Sequence, residues 1–141
     1  MLFPLELELT ESVLMHEPQR MATLIEKLSE LGFKIAIDDF GTGYSSLNYL
    51  AHLKADTLKI DRVFVNEIEN GTKNNEVVKA IVHLGHSLNM QILAEGVETE
   101  KQERFLKEVG CDLIQGYYFA KPLIKEDFIA FFAENLKKVW A

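Results

Sequence analysis

Five short apolar runs, Leu5 to Thr10, Phe33 to Asp38, Thr57 to Asp61, Gln91 to Glu95 and Leu113 to Tyr117, alternate with stretches of helical periodicity along the chain. Strands separated by helix-length crossovers pair in parallel, so this alternation predicts an α/β fold of about five parallel strands with flanking helices. The intervening stretches carry their own signals. Met21, Leu24, Ile25, Leu28 and Leu31 share one helical face, with Pro18 near its start and Gly32 just past its end. Thr99 and Gln102 have capping-box spacing ahead of Phe105, Leu106 and Val109, and Gly110 supplies a stop. Two further helices are expected to pack outside the sheet. One runs from Glu76 to Leu88 and bears Val77, Val78, Ile81, Leu84 and Leu88; the other runs from Glu126 to Val139 and bears Phe128, Ile129, Phe131, Phe132 and Leu136.

The charge balance narrows the partners. Fifteen Lys and Arg stand against 22 Asp and Glu, a net charge of −7 with no basic block, which argues against polymeric nucleic acid. A phosphate-bearing ligand would need metal ions to offset this field. Cys111 is the single cysteine, which excludes an internal disulfide and a Cys-rich zinc site and fits a small buried apolar role in a reducing compartment. No apolar run approaches the roughly 18 residues a bilayer span needs. The start, Met1-Leu2-Phe3-Pro4-Leu5-Glu6, lacks a basic region followed by an apolar one. The chain is therefore expected to be cytoplasmic or a soluble fragment, which leaves room for a membrane-anchored parent protein. Because it begins almost inside a strand, a truncation is expected. Phe131, Phe132 and Trp140 read better as a core or interface stripe than as a membrane-seeking face. His83 and His86 have no third ligand nearby and read as surface or packing residues.

Each strand candidate ends in groups able to do chemistry: Glu8 and Glu11, Asp38 and Asp39, Lys59 and Asp61, Glu95 and Glu98, then Gln115. In a barrel of parallel strands the carboxyl ends share one face, so these residues would converge on one site. Adjacent aspartates repel unless a cation or several donors compensate them. Each residue also has a plainer reading: a solvated acidic turn for Asp38 and Asp39, an edge strand with a wet face for Glu8, a structural salt bridge for Lys59, an ordinary loop for Glu95, and loop capping for Gln115.

Carboxylate oxygens without a His or Cys set favour Mg²⁺ or Mn²⁺ over structural zinc. The aspartate pair suggests two ions, an arrangement that in general clamps a phosphorus centre with metals roughly 3.5 to 4 Å apart. Phosphodiester hydrolysis is the natural reaction. Its rival is proton abstraction beside a carboxylate, with Mg²⁺ and a lysine base.

The segments Glu8-Leu9-Thr10-Glu11-Ser12, Asp38 to Leu47, Leu58-Lys59-Ile60-Asp61, Glu95-Gly96-Val97-Glu98 and Gln115-Gly116-Tyr117 resemble, in order and spacing, the motifs of EAL domains. The resemblance runs from about Leu5 to Leu123. It implies a modified TIM barrel that hydrolyses cyclic di-GMP to linear pGpG in bacterial second-messenger signalling. It further implies that Glu8 and Asp38 bind one metal, and that Asp38, Asp39 and Glu95 bind the second. Lys59 would contact the attacking water and scissile phosphate, and Gln115 would position a water. Glu11 and Glu98 would anchor the loop Gly41 to Ser46.

This sequence departs from the family in having no Glu-Ala-Leu motif near its start and no asparagine-bearing strand before Glu8, which in the family supply two more ligands to the first metal. Residues 1–141 are accordingly expected to be the carboxyl-terminal portion of a single EAL domain, a partial TIM-barrel-like fold with little activity alone. An unclosed parallel sheet exposes strand edges and helix faces, so self-association into a homo-oligomer is expected. Two alternatives are a non-catalytic cyclic di-GMP-binding or dimerisation module, and a scaffold held by the aromatic last helix.

Overall fold

A computed structural model of the chain describes residues 5–41, 47–69 and 72–139. Five strands, β1 (Glu6–Thr10), β2 (Lys34–Phe40), β3 (Thr57–Ile60), β4 (Gln91–Ala94) and β5 (Leu113–Ile114), form one sheet in chain order, every pair parallel. The α/β reading therefore holds. The strand pairing also sorts the side chains, because residues in register across a parallel sheet face the same way. Leu7, Ile35, Leu58 and Ile92 occupy one face, and Glu8, Ala36, Lys59 and Leu93 the other.

The helices cover the first face. Between β1 and β2 lie α1 (Glu11–His16) and α2 (Pro18–Glu30). Pro18 opens α2, where a missing N–H costs nothing, and Gly32, at φ 92°, reverses the chain behind it. Of the apolar face expected for α2, Ile25 is fully buried, but Leu24 and Leu31 remain exposed. The short helices α3 (Leu47–Leu50) and α4 (Arg62–Asn66) flank β3, and a 3-10 turn at Glu67–Glu69 leads towards α5 (Thr72–Ser87). In α5, Val78, Ile81 and Val82 are buried, whereas Val77 is exposed. Helix and sheet meet closely at Gly85: a Cβ there would lie 2.1 Å from the Ile92 side chain. Between β4 and β5, α6 (Glu100–Glu108) has the expected capping box. The Thr99 hydroxyl accepts from the Gln102 N–H at 3.2 Å, the Gln102 side chain accepts from the Thr99 N–H at 3.1 Å, and Leu106 is fully buried.

Two expectations need correction. The fifth strand spans two residues rather than five, because the chain turns at Gly116. The last helix, α7 (Lys125–Val139), does not pack on the sheet: Phe128, Ile129, Phe131 and Phe132 are all exposed, with Phe128 and Phe132 stacked on one another. Its apolar stripe was read as facing a core or an interface; among the described residues no element covers it, so the core half of that reading does not hold. Trp140 and the side chain of Leu136 lie outside the described residues. Cys111 is half-buried, its Sγ donating to the Ile92 and Leu113 carbonyls, and burial pushes its thiol up to about 11. His86 pairs with Asp112 at 2.8 Å rather than with His83.

Candidate active site at the carboxyl ends of the strands

The polar face of the sheet carries the site. Lys59 is in the centre of β3, between Leu58 and Ile60, and only 4% of it is exposed. A buried ammonium needs partners. It has three: Glu8 of β1 at 2.7 Å, Glu95 just beyond β4 at 2.7 Å, and Asp38 of β2 at 3.5 Å. Burial opposes the charge on Lys59, but hydrogen bonds to Glu8 and Glu95 and the charges of Glu95 and Asp38 outweigh it. The side chain is held protonated, above the ordinary lysine range.

Asp39 would point away from Asp38 in a regular strand, since successive side chains alternate. The β2–β3 register instead shifts between Ile37 and Phe40, and Asp39 takes φ 56°, left-handed backbone that aspartate tolerates better than most residues. The Asp39 N–H donates to Asp38 Oδ1 at 2.9 Å. Burial raises the Asp39 carboxyl above its usual range, and a hydrogen bond with Asp61 and the charges of Asp38, Asp61 and Glu95 push the same way. Asp61, the N-cap of α4, therefore belongs to the cluster. It was visible at the end of its strand but carried no assigned role, because its proximity to Asp39 depends on the bulge.

Glu11 sits apart. It is buried at the start of α1, and its Oε2 accepts from the Gly41 N–H at 3.0 Å. Gly41 has φ 93°, and a Cβ there would lie 2.8 Å from the Phe64 ring, so the entry to the glycine-rich loop is tightly packed. Residues 42–46 of that loop lie outside the described residues, and with them the contacts expected of Glu98, whose backbone N–H donates to Gln102 Oε1 at 2.8 Å. Gln115 is exposed. Its N–H donates to the Ala94 carbonyl at 2.8 Å and its carbonyl accepts from Val97 at 3.1 Å, so its backbone joins β5 to the loop after β4. It lines a cavity of about 240 Å³ together with Arg62, Glu95, Glu98 and Tyr117. Arg62 was not singled out by motif or spacing.

Glu8, Asp38, Asp39 and Glu95 thus supply hard oxygen donors from three strand ends, the donor chemistry of Mg²⁺ or Mn²⁺. Among the described residues no three of them meet at one point with the geometry of a bound ion; the Lys59 ammonium stands between them as the counter-charge. The donor set fits a divalent cation in chemistry: burial first, and then the hydrogen bond with Asp61 and the neighbouring carboxylates, raise the Asp39 carboxyl, and a cation would offset the charge part of that cost.

Comparison with known proteins identifies the family. The EAL domain family model matches residues 3–122. A bifunctional diguanylate cyclase/cyclic di-GMP phosphodiesterase, MucR of Pseudomonas aeruginosa, is 48% identical over 124 residues, which is 88% of this chain and 18% of the relative. A solved MucR phosphodiesterase in complex with c-di-GMP superposes with a TM-score of 0.84 at 48% identity, covering 87% of this chain and 50% of that one. Klebsiella pneumoniae BlrP1, solved with manganese and cy-diGMP, gives a TM-score of 0.76 at 33% identity, covering 83% of this chain and 30% of that one. This chain thus spans about a fifth of the curated relative and half of the solved MucR chain.

Proposed function

This chain belongs to the EAL domain family, and from that membership we propose that it carries a metal-dependent site for hydrolysis of cyclic di-GMP to linear pGpG in bacterial signalling. The observation that supports this most is the convergence of Glu8, Asp38 and Glu95, from three strands distant in sequence, on the Lys59 ammonium. The activities by which these relatives are named favour phosphodiester hydrolysis over the carbon-acid alternative.

In the proposed mechanism Glu8, Asp38, Asp39 and Glu95 would hold divalent ions, Mg²⁺ or Mn²⁺, two of them in an intact site. Such ions supply positive charge to the phosphate and make an attacking water more acidic. Lys59, positively charged and fixed by its neighbours, donates to a phosphoryl oxygen and stabilises the charge that develops there. Gln115, with both an acceptor and a donor group, orients the water at the rim of the site. Glu11 fixes the entry of the glycine-rich loop through Gly41, and Glu98 is assigned to the same loop.

We also propose that the chain forms one portion of a longer EAL barrel and self-associates. The outer edges of β1 and β5 are unpaired among the described residues, and the aromatic face of α7 is exposed. Sedimentation that found only monomers would refute the self-association. No helix among the described residues is long and apolar enough to cross a membrane, and a cytoplasmic site of action is proposed.

The test is hydrolysis of cyclic di-GMP with Mn²⁺ or Mg²⁺, followed by product chromatography, for the wild type and Asp38→Asn at matched concentration. Turnover that Asp38→Asn abolishes supports the catalytic reading. Equal turnover in both overturns it, and binding without turnover in the wild type points to a nucleotide-binding module.

A further inference from the structure

Arg62 is the first residue of α4, immediately after Asp61, and it is exposed at an otherwise acidic mouth. Among the described residues it makes no salt bridge, while the nearby Glu95 is already engaged by Lys59. Its position is set by the backbone: Gly96 has φ 73°, and a Cβ there would lie 2.6 Å from the Arg62 Cβ, so the first turn of α4 rests on the loop after β4. That contact puts Arg62 in one cavity with Glu95, Glu98, Gln115 and Tyr117.

These groups match one kind of ligand. Arginine offers a planar fork of donors and no acceptor. Guanine presents two acceptors, O6 and N7, on one edge, whereas adenine places an amino donor beside N7. A fork that can only donate pairs with the first edge and repels the second. The exposed ring of Tyr117 offers a surface on which a base can stack.

We infer that Arg62 is a specificity-determining residue that reads the O6/N7 edge of one guanine of the dinucleotide and selects guanine over adenine. The inference rests on the proposed cyclic di-GMP site. It goes further by assigning the base-reading role to a residue outside the carboxylate–lysine cluster.

The experiment is calorimetric titration of the wild type, Arg62→Ala and Arg62→Lys with cyclic di-GMP and, separately, cyclic di-AMP in the presence of calcium. The expected result is that Arg62→Ala weakens cyclic di-GMP binding by about ten- to a hundredfold and leaves cyclic di-AMP binding unchanged or tighter, since a bidentate base contact contributes roughly that much discrimination and its loss removes a donor that the adenine amino group cannot accept. Arg62→Lys, which keeps the charge but loses the fork, is expected to lose most of the guanine preference as well. Equal weakening for both nucleotides would overturn the inference, because a phosphate contact or a folding defect would produce it. An unchanged guanine preference in both variants would also overturn it. Failure of the wild type to bind either nucleotide would overturn this inference together with the site reading beneath it, whereas wild-type binding with an unaltered preference in the variants would sink the inference alone.

Discussion

Replacing Lys59 with methionine removes one charge and little volume, leaving three carboxylates facing one another around a buried apolar tip. Breaking a well-buried ion pair costs about 3–5 kcal/mol, and an exposed pair contributes about 0.2–1 kcal/mol. The partners here lie between those limits: the Glu8 side chain is 52% exposed, Glu95 27% and Asp38 20%, so solvent screens much of the repulsion. Methionine also recovers the burial of the lysine stem. The net cost is expected to be about 2 kcal/mol, a fall in melting midpoint of roughly 6 °C for a domain of this size. Thermal melts in EDTA measure it directly. Added Mn²⁺ is expected to close much of the gap, because a divalent ion replaces the lost positive charge. A midpoint in EDTA indistinguishable from the wild type would refute the argument that Lys59 is the counter-charge of the cluster. A fall of that size that Mn²⁺ leaves unchanged would refute the argument that these carboxylates also serve a cation.

Asp39→Asn tests the same electrostatics from the opposite side. Burial, the hydrogen bond with Asp61 and the surrounding carboxylates raise the Asp39 carboxyl, so the folded chain holds that proton more tightly than the unfolded chain does. Ionised Asp39 therefore opposes folding once the pH has risen through its folded-state range, and the variant is expected to melt higher at neutral pH in EDTA, the gain fading as the pH falls through the usual aspartate range. Asparagine also accepts the left-handed backbone at that position, so a lower midpoint at neutral pH would contradict the assignment. Glu11→Ala removes a buried carboxylate that accepts from Gly41 and is expected to cost about 2 kcal/mol in urea unfolding; a change below a few tenths would show that the contact does not anchor the loop entry. In Gly116→Ala the new Cβ would lie 2.1 Å from the Val97 carbonyl oxygen and 2.3 Å from its nitrogen. Backbone cannot swing aside as a side chain can, so a loss of at least about 1–3 kcal/mol is expected, and an unchanged urea midpoint would refute that close approach.

The sheet was legible because its strands are short stretches carrying Leu and Ile bounded by glycine and polar residues, and because α2 and α6 carry their own start and stop signals. Glu8, Lys59 and Glu95 could be placed together because period-two alternation and parallel register put them on one face before any side-chain contact is known. The convergence of Asp38, Asp39 and Asp61 was expected from their strand-end positions, but the backbone that permits it could not be read, since alternation alone would send Asp39 to the opposite face and only the register shift before Phe40 reverses it. Arg62 escaped for a similar reason: it belongs to no motif of paired acids, and its place in the cavity follows from the packing of α4 on Gly96. The stripe on α7 was read as apolar with a core or an interface left open as its partner, and only the core is excluded, because helical periodicity reports an apolar face without reporting what lies opposite.

The central claim is that strand ends far apart in sequence assemble one divalent-cation site around Lys59. Titration of Mn²⁺ into the wild type and Asp38→Asn, followed by electron paramagnetic resonance of the free ion, tests it most directly. The account expects saturable binding in the wild type that approaches two ions per assembled site and is lost or reduced at least tenfold in the variant. Equal binding by the two proteins, or none by the wild type, would contradict it.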